Sequence, residues 1–160
     1  MRGPFAGTDH HRDAPYWQTP DEVVARILDL AGAGPGDLLI DLGCGDGRIC
    51  IAAAGRGARA IGVDIDAARI AEAQAAASAA GVGALATFRQ EDLFETRLEE
   101  ASIVTLYAVP LVHNLLGPRL QSELAPGSRI VAHSFPIAGW PPDRVETLPD
   151  RRTLRLWTVI

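Results

Sequence analysis

Glycines alternating with acidic residues follow a short apolar run near residue 40. The run Leu38–Ile40 leads directly into Asp41-Leu-Gly43-Cys-Gly45-Asp-Gly47, a pattern typical of a buried strand that turns sharply into a helix. Glycine allows positive φ angles and lets a ligand approach the main chain closely. A helix beginning near Asp46 would present unpaired N–H groups and the positive end of its dipole to that ligand. The pattern therefore predicts a site for a nucleotide-like cofactor.

The spacing of the glycines separates two classes of cofactor. A dinucleotide-binding loop reads G-x-G-x-x-G, and its third glycine allows close packing of the helix on the strand. Here Arg48 occupies that third position, and the last glycine falls one place earlier, at Gly47. The observed D-x-G-x-G-x-G is instead similar to the glycine-rich loop of class I S-adenosylmethionine-dependent methyltransferases.

Two further acidic residues follow predicted strands. Ala60–Val63 predicts a strand that ends at Asp64, about 20 residues past the loop, where a carboxylate can accept hydrogen bonds from ribose hydroxyls. A third apolar run ends in Phe88–Leu93, and in the fold that the resemblance implies, Asp92 approaches the adenine amino group. The three signals in this order favour a nucleoside cofactor.

Alternating strand and helix patterns surround these motifs. Strands are predicted over 38–42, 60–64, 85–89, 102–107 and 128–132, and helices over 46–56, over 66–80 and from Pro110 onward. Nearly continuous apolar strands alternating with helices indicate a parallel sheet covered on both faces. Prolines after the fifth strand exclude a helix there, and residues 144–148 and 153–159 predict an antiparallel hairpin at the sheet edge.

Two helices carry more detailed predictions. Thr19 is predicted to cap a first helix, with Pro20 in its first turn. Pro118 is predicted to break the helix that starts at Pro110. The core face of that helix is predicted to consist of Leu115, Leu116, Leu120 and Leu124.

Composition limits the classes of function. The chain has 160 residues, 48% of them hydrophobic, and a net charge of −5, so we expect a globular chain without a general nucleic-acid surface. The two cysteines fit neither a zinc site nor a redox pair, and no metal is expected. No apolar run approaches the ~18 residues of a membrane span, and no signal peptide is evident. These features predict a cytoplasmic protein without a membrane partner.

At the level of the whole chain, the cofactor motifs resemble in order those of class I methyltransferases. The resemblance implies an α/β fold, a Rossmann-like, doubly wound, mostly parallel sheet of about seven strands with an antiparallel C-terminal hairpin and helices on both faces. We expect a flexible N-terminal tail over residues 1–15 and an S-adenosylmethionine-binding methyltransferase domain over residues 16–160.

A narrower resemblance points to small bacterial relatives of the FAM173 protein-lysine methyltransferase family. It rests on Pro15-Tyr16 with Thr19-Pro20, the Asp41–Arg48 loop, Val104–Tyr107 with Pro110 and Pro118, and Trp140–Asp143. Family members usually read Pro-Tyr-Val-Pro before the Thr or Ser, whereas Trp17-Gln18 fill the last two of those places here.

The resemblance implies a role for each candidate site residue. Main-chain N–H groups at Gly43 and Gly45 would meet the methionine carboxylate and the ribose. Asp41 would bind the methionine ammonium, or alternatively cap N–H groups of the loop. Asp64 would bind the ribose, or alternatively cap the following helix, for which Asp66 is the stronger candidate.

The remaining roles concern the adenine and the methyl group. Ile65 would pack on the adenine face, Asp92 would accept from its amino group, and Leu93 would supply a backbone N–H. Tyr107 is predicted to shape the wall around the transferring methyl or to pack in the core. Tyr16 and Thr19 would close over the methionine end. His133 has either a substrate-side role or a core position with satisfied hydrogen bonds, and His113 is expected to be structural.

The implied activity is methyl transfer from S-adenosyl-L-methionine, which becomes S-adenosyl-L-homocysteine. A protein lysine amine is the favoured acceptor. The alternatives are a small molecule, RNA, or binding without catalysis, and Arg48 disfavours a nicotinamide-dependent oxidoreductase. Because the segment after strand five is short, a partner or a second copy of the chain is expected to complete the substrate site.

Overall fold

Nearly continuous apolar segments form the central strands of a seven-stranded sheet in the computed structural model, which describes residues 18–160. The strands in chain order are β1 (Leu38–Leu42), β2 (Arg59–Asp64), β3 (Ala86–Gln90), β4 (Ile103–Leu106), β5 (Arg129–His133), β6 (Arg144–Thr147) and β7 (Thr153–Thr158). Their order across the sheet is β3-β2-β1-β4-β5-β7-β6. β1 to β5 are parallel, whereas β7 is antiparallel to both β5 and β6. The predicted fold class is confirmed.

Four α-helices and one short 3-10 turn connect these strands in the described part of the chain. They are α1 (Asp21–Ala31), α2 (Arg48–Gly55), α3 (Ala67–Ala79), α4 (Pro110–Glu123) and the 3-10 turn Leu93–Glu95. No helix intervenes between β5 and β7, as the prolines of that segment predict. No helix among residues 18–160 is both long and apolar enough to cross a membrane.

The two faces of the sheet bury separate apolar clusters. Leu39, Ile103 and Val131 lie in the cluster formed with α1, α2 and α3. Their neighbours along the strands, Ile40 and Val104, belong to the cluster that includes the buried face of α4. Successive strand residues point to opposite faces, so the odd-numbered positions of β1, β4 and β5 share the α1 face. In this order β2 and β4 lie on opposite sides of β1, so the connections run to opposite sides of the carboxyl end of β1. Open parallel sheets bind ligands in the crevice at such a point.

Two predictions for α4 are wrong. The helix continues through Pro118 from Pro110 to Glu123. Gly117 precedes this proline, and because it has no side chain it avoids most of the steric clash that disfavours a helical residue before proline. Leu115 is 50% exposed, since the buried stripe of α4 runs one residue away, through Val112, Leu116 and Leu120.

Candidate functional site

The glycine loop is held in place by the end of β2. Gly43, Gly45 and Gly47 have φ angles of +85°, +55° and +83°, which L-residues with side chains rarely adopt. The amides of Gly43 and Cys44 both donate to the Val63 carbonyl, at 2.9 Å each. The loop therefore folds back over β2 and starts α2 at its far end.

Close packing below the loop requires two glycines. A Cβ on Gly47 would lie 2.8 Å from Ala73 of α3 and from the Phe88 ring, and a Cβ on Gly62 would lie 2.7 Å from Cys44. By contrast, a Cβ on Gly43 would meet no atom of residues 18–160 within 4 Å. The space above Gly43 is therefore open to a ligand, while Gly47 and Gly62 set how closely the loop packs.

Asp64 organises the loop and the start of α3 together. One carboxylate oxygen accepts from the Gly45 amide at 3.0 Å, and the other accepts from the Asp66 amide at 2.9 Å. Asp66 in turn caps α3 by accepting from the Ala68 amide at 2.9 Å, as predicted. Asp64 is partly exposed at the strand end, and each of its oxygens retains a lone pair for a further donor.

Asp41 is a carboxylate buried beneath the loop. It is 4% exposed, and its Oδ1 accepts a 2.8 Å hydrogen bond from the Thr105 hydroxyl of β4. The Gly43 and Gly45 amides donate to Val63 and Asp64, so the alternative in which Asp41 caps these amides is not observed. Burial, partly offset by the hydrogen bond from Thr105, raises the pKa of Asp41 from 3.8 to about 7. A cationic ligand group would relieve this cost.

Arg48 joins the loop to the segment before α1. Its guanidinium contacts both carboxylate oxygens of Asp46, at 3.0 and 2.6 Å, and donates to the Thr19 carbonyl at 2.9 Å. Thr19 is buried but is not the helix cap. The first helical residue of α1 is Asp21, so Pro20 occupies the cap position, and no side chain caps the helix. The prediction that Thr19 caps the helix is wrong. Thr19 lies beside the glycine loop, and its role toward a cofactor stays a prediction.

A small open groove lies where these groups meet. It is lined by Gln18, Thr19, Asp41, Gly43, Cys44, Gly45, Asp46, Arg48, Ile49 and Tyr107. A buried carboxylate below and open glycine main chain beside it match a ligand that carries a positive charge and needs close backbone approach. An amino-acid group of the S-adenosylmethionine type fits this donor set.

Ile65, Asp92 and Leu93 follow the ends of β2 and β3 and do not line this groove. Asp92 is 8% exposed and caps the 3-10 turn by accepting from the Phe94 amide at 2.9 Å. Ile65 is half-buried, and its carbonyl accepts from the Gln90 side chain at 3.4 Å. These residues extend the same sheet edge on the β2–β3 side, where an adenine would follow a ribose held at Asp64.

Tyr107 and His133 form the edge on the other side of β1. Tyr107 follows β4 directly and lines the groove, and its ring lies 3.9 Å from that of His133 by centroid distance. His133 is 1% exposed, and neither ring nitrogen has a hydrogen-bond partner among the residues that the structure describes. The prediction of a core histidine with satisfied hydrogen bonds is therefore wrong. Tyr16, the remaining predicted residue, lies outside the described residues.

His113 has the structural role predicted for it. Its Nε2 accepts from the Ala108 amide and its Nδ1 donates to the Phe135 carbonyl, both at 3.0 Å. Burial lowers the pKa of His113 from 6.5 to about 4. A neutral His113 therefore fastens the segment after β4 to the segment after β5.

Cys44 and Cys50 are buried, and burial raises the pKa of both thiols. Neither is thus a thiolate nucleophile at neutral pH. Among residues 18–160, no three His, Cys, Asp or Glu side chains lie close enough together to hold a metal ion.

Sequence reasoning misses two contacts at this site. Thr105 is the hydrogen-bond partner of Asp41, and its only signal is a hydroxyl within the otherwise apolar β4. The sequence argument uses Arg48 to exclude a dinucleotide and does not predict that Arg48 connects the segment before α1 to the loop. The only sequence signal for this contact is the nearby Asp46, which can hold the guanidinium in place.

Comparisons with known proteins agree with this geometry. Residues 41–144 match the family model described as ANTKMT methyltransferase domain. A protein-lysine N-methyltransferase from Saccharolobus islandicus is 42% identical over 85% of this chain and 86% of its own length. The adenine nucleotide translocase lysine N-methyltransferase of Mus musculus is 35% identical over 80% of this chain and 56% of its own length. The chain thus spans little more than half of that mouse relative.

One solved structure shows a similar chain with a ligand bound. A protein from Salinibacter ruber, described as an RNA methyltransferase in complex with S-adenosyl-L-homocysteine, is 44% identical and superposes with a TM-score of 0.87. The match covers 89% of this chain and 94% of that one. Together with the site geometry, these matches show that the chain belongs to the ANTKMT-type family of class I S-adenosylmethionine-dependent methyltransferases.

Proposed function

We propose that this enzyme transfers a methyl group from S-adenosylmethionine to the side-chain amine of a protein lysine. The observation that carries the choice of acceptor is the 42% identity, over nearly the full length of both chains, to a protein-lysine N-methyltransferase. The mouse relative is named for the same type of acceptor. The acidic net charge of −5 also suits an acceptor segment that carries a cationic lysine.

The amino-acid end of the cofactor is proposed to lie over the glycine loop. Ionised Asp41 would pair with the ammonium, and the main chain of the glycine loop would lie against the carboxylate and the ribose. The Gly43 and Gly45 amides themselves already donate to Val63 and Asp64. Asp64, already fixed by two backbone amides, would accept from the ribose hydroxyls at little cost in side-chain entropy. Thr19 would bound the methionine end, and we assign Tyr16 to the same end on sequence alone.

The adenine is proposed to lie on the β2–β3 side of the edge. Ile65 would pack on its face, Asp92 would accept from its amino group through the oxygen that does not cap the 3-10 turn, and Leu93 would donate its backbone N–H. Arg119 fixes the turn on this side by donating to the Phe94 and Thr96 carbonyls at 2.7 Å each. The turn is therefore held in place before an adenine arrives.

Catalysis then depends on alignment and on excluding water. When bound, S-adenosylmethionine supplies a methyl carbon whose bond to the sulfonium sulfur breaks as the acceptor nitrogen bonds to it. Tyr107 covers the β4 side of the groove, and Asp41 holds the cofactor's charged end in one place. Holding two reactants in line can lower a barrier by ~7–11 kcal/mol. The amine must be neutral to react, so activity should rise with pH.

RNA is the second candidate acceptor. It is favoured by the Salinibacter protein, which is described as an RNA methyltransferase and is 44% identical. The net charge of −5 argues against it, because RNA-binding surfaces carry clustered basic residues. A methyl-labelling experiment distinguishes the two acceptors, because the label enters protein in one case and RNA in the other.

Three finer predictions remain proposals. Completion of the substrate site by a second copy is supported by the short, helix-free segment between β5 and β6, and light scattering of the purified chain would test it. A cytoplasmic location rests on the sequence alone. The division of the chain at residue 16 falls among residues that the structure does not describe.

The test of the acceptor uses S-adenosylmethionine labelled in its methyl group. The purified enzyme is incubated with cell lysate, and samples are then treated with protease or with nuclease. Label that is lost with protease and retained with nuclease supports a protein acceptor, and the reverse refutes it. At cofactor concentrations below the wild-type Kd, the Asp41→Asn variant should give about tenfold to a hundredfold less label than the wild type, while Glu72→Gln, which changes an exposed acid on α3, is the matched control.

A further inference from the structure

His133 is a buried imidazole whose hydrogen-bonding capacity is unused. It is 1% exposed, and within the described part of the chain both Nδ1 and Nε2 lack a hydrogen-bond partner. His113, the other histidine at this edge, uses both nitrogens on backbone groups. Buried polar atoms in folded proteins are nearly always hydrogen-bonded, and leaving one unpaired destabilises the fold. We therefore expect the imidazole of His133 to form a hydrogen bond with a group that the ligand-free protein lacks.

The sheet places His133 beside the cofactor groove but on its outer side. Ala132 of β5 pairs with Leu106 of β4, so the next residues, His133 and Tyr107, are neighbours. Their rings lie 3.9 Å apart with an interplanar angle of 32°. Tyr107 lines the groove and β5 is one strand further from β1, so His133 lies directly behind Tyr107 on the β5 side of the groove.

Several charged groups act on His133 from the packed elements around it. Burial is the largest influence and lowers the pKa of His133 from 6.5 to about 4, with Arg152 and His113 lowering it further and Asp150 opposing them. The imidazole is therefore neutral at physiological pH and has one nitrogen lone pair available. A neutral imidazole nitrogen can accept a hydrogen bond from an amine N–H.

A second groove opens beside the turn between β6 and β7. It lies between α1 and the β6–β7 turn, where Glu22, Glu146 and Asp150 contribute carboxylates. Glu146 is paired with Arg26 of the same lining, and Asp150 is paired with Arg152. Asp150 belongs both to this groove and to the charges acting on His133. The groove lining has three carboxylates and one guanidinium, and this net negative charge suits a cationic lysine-bearing segment.

We propose that His133 is the acceptor-side residue of this enzyme, accepting a hydrogen bond from the lysine amine as the lysine enters along the groove between α1 and the β6–β7 turn. This inference rests on the proposed lysine acceptor. His133 gains and loses no proton. The amine loses its proton to solvent before transfer; its lone pair then forms the N–C bond as the C–S bond breaks, and the electron pair of that bond stays on sulfur.

Two variants separate this role from packing. His133→Phe keeps an aromatic ring against Tyr107 but removes both nitrogens, and His133→Gln keeps a hydrogen-bond acceptor. Three quantities are measured for each: the Kd for S-adenosylmethionine, the thermal midpoint, and kcat/KM for a protein acceptor that the wild type labels. Val145→Ala, at an exposed position of β6, is the control for a change in the neighbouring hairpin of the same sheet.

For His133→Phe we expect an unchanged cofactor Kd, an equal or higher thermal midpoint, and an acceptor kcat/KM about tenfold to a hundredfold lower. His133→Gln should recover most of that loss. A His133→Phe variant that transfers methyl groups as well as the wild type overturns the proposal. A variant that fails to fold, or that loses cofactor binding and transfer together, also overturns it, because that result identifies His133 as a packing residue.

The outcome is distinguishable from a failure of the proposed function. Wild-type labelling that disappears with nuclease refutes the lysine acceptor. Wild-type labelling of protein combined with an equally active His133→Phe variant refutes only the assignment of His133.

Discussion

Replacing Asp41 with asparagine should stabilise the ligand-free protein at alkaline pH while weakening cofactor binding. Asp41 is 4% exposed, and burial raises its pKa from 3.8 to about 7. The folded chain therefore keeps a proton on Asp41 over a pH range in which the unfolded chain has lost it. The stability of the wild type falls as pH rises from about 4 to about 7, and the full cost is present above that range.

The size of the effect follows from the pKa. A change from 3.8 to about 7 corresponds to at most roughly 4 kcal/mol of unfolding free energy at pH 8. In a chain of this size each kcal/mol changes the thermal midpoint by about 2–4 °C. The amide oxygen of the introduced asparagine would still accept from Thr105, so the variant should melt several degrees above the wild type at pH 8, with a difference that shrinks toward pH 5.

The assay is thermal unfolding of the ligand-free proteins between pH 5 and pH 8. His113 and His133, with folded pKa values of about 4, change stability in the opposite sense, since the unfolded chain binds the extra protons; comparing variant with wild type removes their contribution. Cofactor affinity should fall about tenfold to a hundredfold through loss of a charged hydrogen bond. An Asp41→Asn variant that melts below the wild type at pH 8 would refute the reasoning.

Gly47→Ala should lower the unfolding free energy in urea by about 2–4 kcal/mol, because its Cβ would lie 2.8 Å from Ala73 at a φ of +83°. Gly43→Ala has a similar positive φ but open space at Cβ, so it should lower the unfolding free energy by only about 1–2 kcal/mol. The same variant should bind the cofactor more weakly in calorimetry. Equal losses of stability for the two variants would contradict the packing argument. Arg119→Met removes the donors to the carbonyls of residues 94 and 96 and should raise the Kd for S-adenosylhomocysteine several-fold, and an unchanged Kd would show that the 3-10 turn needs no tether.

Local chemistry makes the cofactor edge predictable from the sequence. The glycines at 43, 45 and 47 indicate positive φ angles directly, and Asp66 acts as a cap because of its own short side chain. The alternation of apolar runs indicates the strands, since a parallel sheet needs strands buried on both faces. These features depend on neighbours in sequence.

Long-range contacts make the rest unpredictable. Thr105 meets Asp41 across 64 residues, and the missing partners of His133 depend on packing between β4, β5 and the hairpin turn. Pro118 resembles a helix breaker because proline lacks an N–H, but the preceding Gly117 and the buried stripe of α4 keep the helix continuous. Leu115 resembles a core residue because a run of leucines does not reveal which side faces inward.

The most direct test of the central claim is a crystal structure of this protein with S-adenosylhomocysteine. We expect the ligand's amino group within about 3.2 Å of an Asp41 oxygen, its ribose hydroxyls on Asp64, and its sulfur beside Tyr107. A ligand that instead avoids Asp41 and Asp64, or lies away from the carboxyl edge of β1, would contradict that claim.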